Sequence, residues 1–490
     1  IKGTGTIYLE DLEACGNSGK GIVIGEKTKV NFHKGAVTLK NVRVNENPNS
    51  DGATIFATGN IAVSNSSFDG NAGDAGLRVE STTGTITLRG ITASHNVRRG
   101  IYNVNIGFSK TFTLQHVQVN DNGLHGVDVG YKDATGAFIA DTIYAQNNNT
   151  SEHTSDPIQG FKLTTKGAVT LKNVIIEGTK KGDGMLLDHQ STTPVVLQNV
   201  ISRGNGKIGL SIGTRGNVSL TSVKSTDNGT DGTRITNWGT DGIGTITMTS
   251  PSSAGTAGAN DFSSNDGIGL YLASNKNITL ANLDVSKNGL DGLVAITAGN
   301  LTISKTLPNW INGFNGNEGG SGILSRAEGN ISLGYCEASG NANSGVHFNS
   351  TAKSATFTGG RFDNNGDNGL YINVSGNVVL ADFESVSNND WDRSGAYEGI
   401  KIEGATNVTL KNASKTASTA IGGNSGNGLS IYSTGSVAIT GVNAWLNGGH
   451  GLYVSNRVWP GGMPVSSVSA SGDPTPARSS WSTWPAARAS

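Results

Sequence analysis

The stretch Gly76-Leu-Arg-Val-Glu-Ser-Thr-Thr-Gly84-Thr-Ile-Thr-Leu88-Arg-Gly-Ile-Thr-Ala-Ser-His-Asn96-Val-Arg-Arg-Gly100 decides the fold. It opens on a glycine followed by an aliphatic, variable, aliphatic triplet. A second glycine leads into Ile-x-Leu-x-x-Ile, an alternation of apolar and small polar residues. Period two over so few residues is the mark of a strand with one buried face. Asn96, four residues before the next glycine, supplies a side chain that tolerates left-handed backbone and bonds its own turn. Gly100 then begins the pattern again.

The same unit runs along the chain. Gly21-Ile-Val-Ile24, Gly126-Val-Asp-Val129, Gly160-Phe-Lys-Leu163, Gly269-Leu-Tyr-Leu272, Gly369-Leu-Tyr-Ile372 and Gly451-Leu-Tyr-Val454 repeat the first motif, and looser copies bring the total to seventeen. Steps of 23 or 24 residues recur, as from Gly52 to Gly76 and from Gly428 to Gly451. Gly35-Ala-Val-Thr-Leu39, Gly216-Asn-Val-Ser-Leu220 and Gly376-Asn-Val-Val-Leu380 repeat the second. Asparagine stands four residues before the repeat glycine at Asn17, Asn96, Asn122, Asn205, Asn228, Asn265, Asn288, Asn341, Asn365, Asn424 and Asn447. A ~23-residue coil cannot bury its apolar face alone, whereas stacked coils bury a continuous core. The period predicts an all-β solenoid of about 17 coils over residues 1–455. Strands ~4.8 Å apart would carry it across roughly 80 Å. The asparagines are expected to form a ladder from coil to coil.

On these motifs the chain resembles the right-handed parallel β-helix, or pectate-lyase-like, superfamily. It also resembles the repetitive β-helix proteins of bacterial surfaces. The resemblance implies a single-stranded right-handed parallel β-helix. It further implies either a structural, adhesive role or action on polysaccharides.

Composition narrows the function. Among 490 residues, 36 Lys and Arg against 37 Asp and Glu leave a formal charge of −1. That balance gives no electrostatic case for binding nucleic acid. No apolar run approaches the ~18 residues of a membrane span. Two cysteines exclude a disulfide scaffold or multi-Cys zinc site. Cys15 and Cys336 lie about twelve coils apart, far beyond the ~7 Å reach of a disulfide, and read as core thiols. No metal site is expected, since the Asp-containing nonapeptide of calcium-binding repeats is absent. Calcium enters only with a lyase. After Ser455 the character changes to Pro, Ser, Ala, Arg and Trp, and residues 456–490 are expected to lack regular structure.

Two places could bear chemistry. The outward residues of successive first-motif strands are Arg78, Tyr102, Asp128 and Lys162, with Arg99 and His125 just before their glycines. In a lyase, Lys162 or His125 would serve as base and Arg78 or Arg99 as charge clamp, with Asp128 beside them. The bland reading is a solvated face whose charges pair across rungs. Long coils also offer loop residues: Glu152, His153 and Asp156, then Trp310, and then Trp391, Arg393 and Tyr397. With Tyr102, the aromatic residues and Arg393 could contact a sugar, or each Trp could pin its own loop. Gly449-His-Gly451 resembles a polygalacturonase segment, but the paired carboxylates of hydrolysis do not accompany it.

The expectation is an extracellular or cell-surface structural or adhesive rod without catalytic activity or cofactor. The alternative is a lyase or hydrolase of uronic-acid polysaccharides. Expected partners are a polysaccharide or surface glycan, or further copies stacked end to end.

Overall fold

The computed structural model describes residues 1, 3–26, 32–103, 108–150, 158–237, 242–250, 259–307, 310–388, 397–411, 419–455 and 468–471. Every regular element among them is a β-strand. The chain divides into two compact units, Ile1–Gly244 and Thr245–Ser490.

In the first unit the strands that open on the repeat glycine stack in parallel and in register. Leu77 pairs with Ile101, Ile101 with Val127, Val127 with Phe161, Phe161 with Met185, and Met185 with Leu210. All six point inward and are fully buried. The second-motif strands form the other sheet. Their inner file runs Val37, Ile61, Ile86, Phe112, Phe138, Val169, Val195, Val218. Phe112 and Phe138 lie 5.7 Å apart, and Phe138 meets Phe161 of the opposite sheet edge-on at 6.0 Å.

These longer strands are bent, which the alternation alone did not reveal. Asn41, Asn65, Gly90, His116, Thr142, Asn173, Asn199 and Ser222 have φ between 48° and 63°. One left-handed residue reverses the alternation, so Leu88 and Ile91, three apart, both face the core. This is the physical origin of the x-x in Leu-x-x-Ile. Asn and Gly recur there because they enter that region at least cost.

The asparagine ladder is present and longer than the sequence spacing indicated. Asn17, Asn47, Asn71, Asn96, Asn122 and Asn148 are linked, each Oδ1 accepting the backbone N–H of the preceding member at 2.9–3.2 Å. Thr179 interrupts the series, and Asn205 and Asn228 resume it. Asn47, Asn71 and Asn148 escaped the spacing rule because their turns to the next glycine are longer.

The second unit repeats the scheme. Its glycine strands align Leu270, Leu293, Ile323, Val346, Leu370, Ile400, Leu429 and Leu452. Its ladder runs unbroken from Asn265 through Asn288, Asn317, Asn341, Asn365, Asn388 and Asn424 to Asn447. Of the stretch 456–490, residues 468–471 are described. Val468–Ser471 is a strand paired in parallel with Val437–Thr440, where irregular chain had been expected. The remainder of that stretch lies outside the described residues.

Both cysteines are free. Cys336 is buried, and burial pushes its thiol up to about 12. Cys15 differs from the core thiol expected of it, being only half-buried, with Sγ accepting the Asn45 N–H at 3.3 Å.

Candidate functional site

Register in the first unit sets Thr54, Arg78, Tyr102, Asp128, Lys162 and Leu186 in one outward file, one residue per coil. The sequence-derived candidates therefore come together. Arg99, the first residue of its strand, and His125, two residues before the next strand, enter the same patch.

Each charge meets an opposite charge. Arg78 donates from Nε and Nη2 to Glu80 Oε1 at 3.1 and 2.9 Å. Arg99 bridges two coils, with Nη1 on Asp74 Oδ1 at 2.5 Å and Nε on Asp128 Oδ2 at 3.0 Å. The Tyr102 ring lies between the two guanidiniums, 5.1 Å from Arg78 Cζ and 4.6 Å from Arg99 Cζ. Arg78 also sits 5.1 Å over Phe56. Such contacts are worth more when desolvated, and here the patch is largely out of water: Arg78 is 8% exposed, Tyr102 9% and Asp128 3%. Burial raises the Tyr102 hydroxyl above its ordinary value.

Asp128 is the hub. Besides Arg99, its Oδ2 lies 3.9 Å from His125 Nε2, and its Oδ1 lies 4.0 Å from Lys162 Nζ. His125 Nδ1 rests 2.9 Å from the Gln159 carbonyl and 3.2 Å from its N–H. Burial drives the imidazole down to about 4, against the pull of Asp128. At neutral pH His125 is therefore uncharged. Lys162 alone of the file keeps an ammonium stem in contact with solvent, its side chain 37% exposed.

Sequence reasoning missed the partners Phe56, Asp74 and Glu80. A signal for Glu80 existed, since it follows Arg78 by two residues on the same outward alternation. Asp74 belongs to the turn before that strand, where no pattern marks it. A further histidine, His189, faces inward: its Nδ1 meets Thr214 Oγ1 at 2.8 Å and its Nε2 the Gly167 carbonyl at 3.0 Å.

The loop candidates fare differently. In the second unit Trp310 is half-buried, its N–H donating to the Leu307 carbonyl and its indole Nε1 buried without a partner. Tyr397 is also half-buried, its N–H on Ser425 Oγ and its carbonyl on the Gly426 N–H. Trp391, Arg393, Glu152, His153 and Asp156 lie outside the described residues. An outward file that the sequence reading did not single out runs His347, Tyr371, Lys401, Ser430, Tyr453. His347 and Tyr371 stack edge-on at 4.8 Å, and Glu403 accepts from both Tyr371 and Lys401.

Among the described residues no group of three His, Cys, Asp or Glu is placed to hold a metal ion, and no helix is long and apolar enough to cross a membrane. A family model described as a right-handed beta helix region matches residues 159–307 and 246–414. No curated protein and no solved structure matches the chain.

Proposed function

The chain belongs to the right-handed β-helix family, and from that premise we propose a structural or adhesive β-helix of the cell surface or extracellular space that turns over no substrate. One observation carries the reading: the cations and the imidazole a lyase would use converge on Asp128 and its neighbours. A general base must reach a substrate proton, and a charge clamp must offer it uncompensated charge. Here Arg78 is buried and neutralised by Glu80, Arg99 is neutralised by Asp74 and Asp128, and His125 is packed against Gln159. Cross-rung pairing of this kind holds strands in register. Abundant Asn, Thr and Ser are in keeping with a place outside the cell. A glycan, or further copies of the chain, are the partners such a module would engage.

The second reading, a lyase of uronic-acid polysaccharides, draws on Lys162, whose exposed side chain stands beside Asp128. Ultraviolet absorbance during incubation with a panel of uronic-acid polysaccharides, with and without calcium, separates the two. A flat trace is expected. Rising absorbance from new C=C bonds, abolished by Lys162→Ala, overturns the first reading.

A further inference from the structure

The second unit carries a small cleft at the bend of its long strands, walled on one side by Ile311, the chain neighbour of Trp310. Its volume is about 210 Å³, below the ~300–1,000 Å³ of pockets that enclose drug-sized ligands. The space arises from a break in the bend file. Tyr335, Gly359 and Asp382 occupy the left-handed position in three successive coils, with φ of 55°, 66° and 56°. Gly359 is followed by Gly360, so two adjacent positions contribute no side chain. A Cβ on Gly359 would stand 3.1 Å from the Tyr335 ring, and one on Gly360 would stand 2.9 Å from Phe362.

The walls are of two kinds. Ile311 and Tyr335 present apolar surface and are 47% and 44% exposed. Lys305 Nζ lies 3.6 Å over one face of the Tyr335 ring and does not line the cleft. Glu337, Asp382 and Glu384 supply acceptors, and Arg361 supplies donors. Arg361 is only loosely engaged, 3.7 Å from Asp363 and 3.9 Å from Glu384.

We propose that this cleft is a subsite for one sugar ring that bears no carboxylate, a neutral or amino hexose of a surface glycan. An aromatic face takes the C–H side of a pyranose, and carboxylates beside it accept from its hydroxyls. Three carboxylates against one guanidinium oppose a uronate by like-charge repulsion. The proposal rests on the adhesive reading and names a ligand class for it.

Calorimetric titration of the full chain with cellohexaose, chitosan hexamer and hexagalacturonate tests it. Binding of the first two and none of the third is expected. Tyr335→Asn removes the platform yet retains a residue suited to positive φ, as Asn41, Asn65 and Asn282 are in equivalent bends. It should leave the unfolding midpoint unchanged and weaken cellohexaose by about tenfold or more. Glu337→Gln, away from the bend, should weaken it too. Tighter binding of hexagalacturonate, no binding of either other probe, or chitosan binding that ignores both substitutions overturns the subsite. Those outcomes with a flat absorbance trace leave the adhesive reading standing, whereas turnover defeats that reading whether or not the cleft binds.

Discussion

A Cβ placed on Gly126 would stand 2.7 Å from the side-chain nitrogen of Asn148, which belongs to the next coil. The two most regular features of the sequence are therefore one device. The glycine leaves the space, and the asparagine of the following coil fills it with an amide that pairs buried backbone. The same contact recurs between Gly76 and Asn96, Gly209 and Asn228, and Gly428 and Asn447.

Gly126→Ala should therefore destabilise by about 2 kcal/mol or more, since the methyl group meets fixed neighbours. Gly213→Ala is the control. A Cβ there meets nothing nearer than 3.9 Å, so the change should be neutral or stabilising by up to ~1 kcal/mol. Denaturant unfolding of both variants checks the contrast.

Asn71→Ala should cost about 2–3 kcal/mol, because it strips an acceptor from the Asn47 N–H and leaves that donor buried. The opposite change repairs the break. Thr179 Oγ1 is buried without a partner. Thr179→Asn should continue the ladder from Asn148 to Asn205 and stabilise by about 1 kcal/mol. Thermal unfolding midpoints moving in opposite directions are the expected result.

Asn103 faces the core between aliphatic neighbours, in register with Val129, and both ends of its amide are buried without hydrogen bonds. Nothing in the structure explains an amide there. Asn103→Val should stabilise by about 1–3 kcal/mol. A lower denaturant midpoint for the variant would contradict this.

His125 makes stability depend on pH. The folded imidazole titrates at about 4, against an ordinary value of 6.5. Between those values the unfolded chain takes up a proton that the folded chain refuses, so stability falls as pH falls through that window. The loss totals about 3 kcal/mol. Asp128 draws the proton in, while Lys162 and Arg99 oppose it. Chemical denaturation from pH 7 to pH 4 should show this component in the native chain and not in His125→Gln.

Asp128→Ala should unfold the patch rather than impair a reaction. Removing the carboxylate leaves the largely buried Arg99 with one partner instead of two. Breaking a buried pair costs about 3 kcal/mol. Loss of stability with an unchanged, flat absorbance trace is the expected outcome.

Much of the fold was legible because each signal is local and repeated. Gly, then aliphatic residues two apart, then Asn, is complete within one coil. Errors arose where a coil departed from its own average. Asn148 stands twelve residues before Gly160 rather than four, and the fixed spacing passed over it. The candidate patch was half legible. Strand alternation placed Arg78, Tyr102, Asp128 and Lys162 outward, but Asp74 and Glu80, which neutralise the cations, had no pattern to announce them.

By itself the sequence determined the solenoid: a glycine where the next coil presses close, an aliphatic or aromatic residue at most inward positions, and an asparagine at most of the buried turns. Tertiary structure decided which charge meets which, and where two glycines at a bend open a cleft beside Tyr335. The physical reason is distance along the chain. Inward and outward follow from neighbours two residues away, whereas partners across a rung are a whole coil apart, and turns of unequal length set which residues arrive side by side.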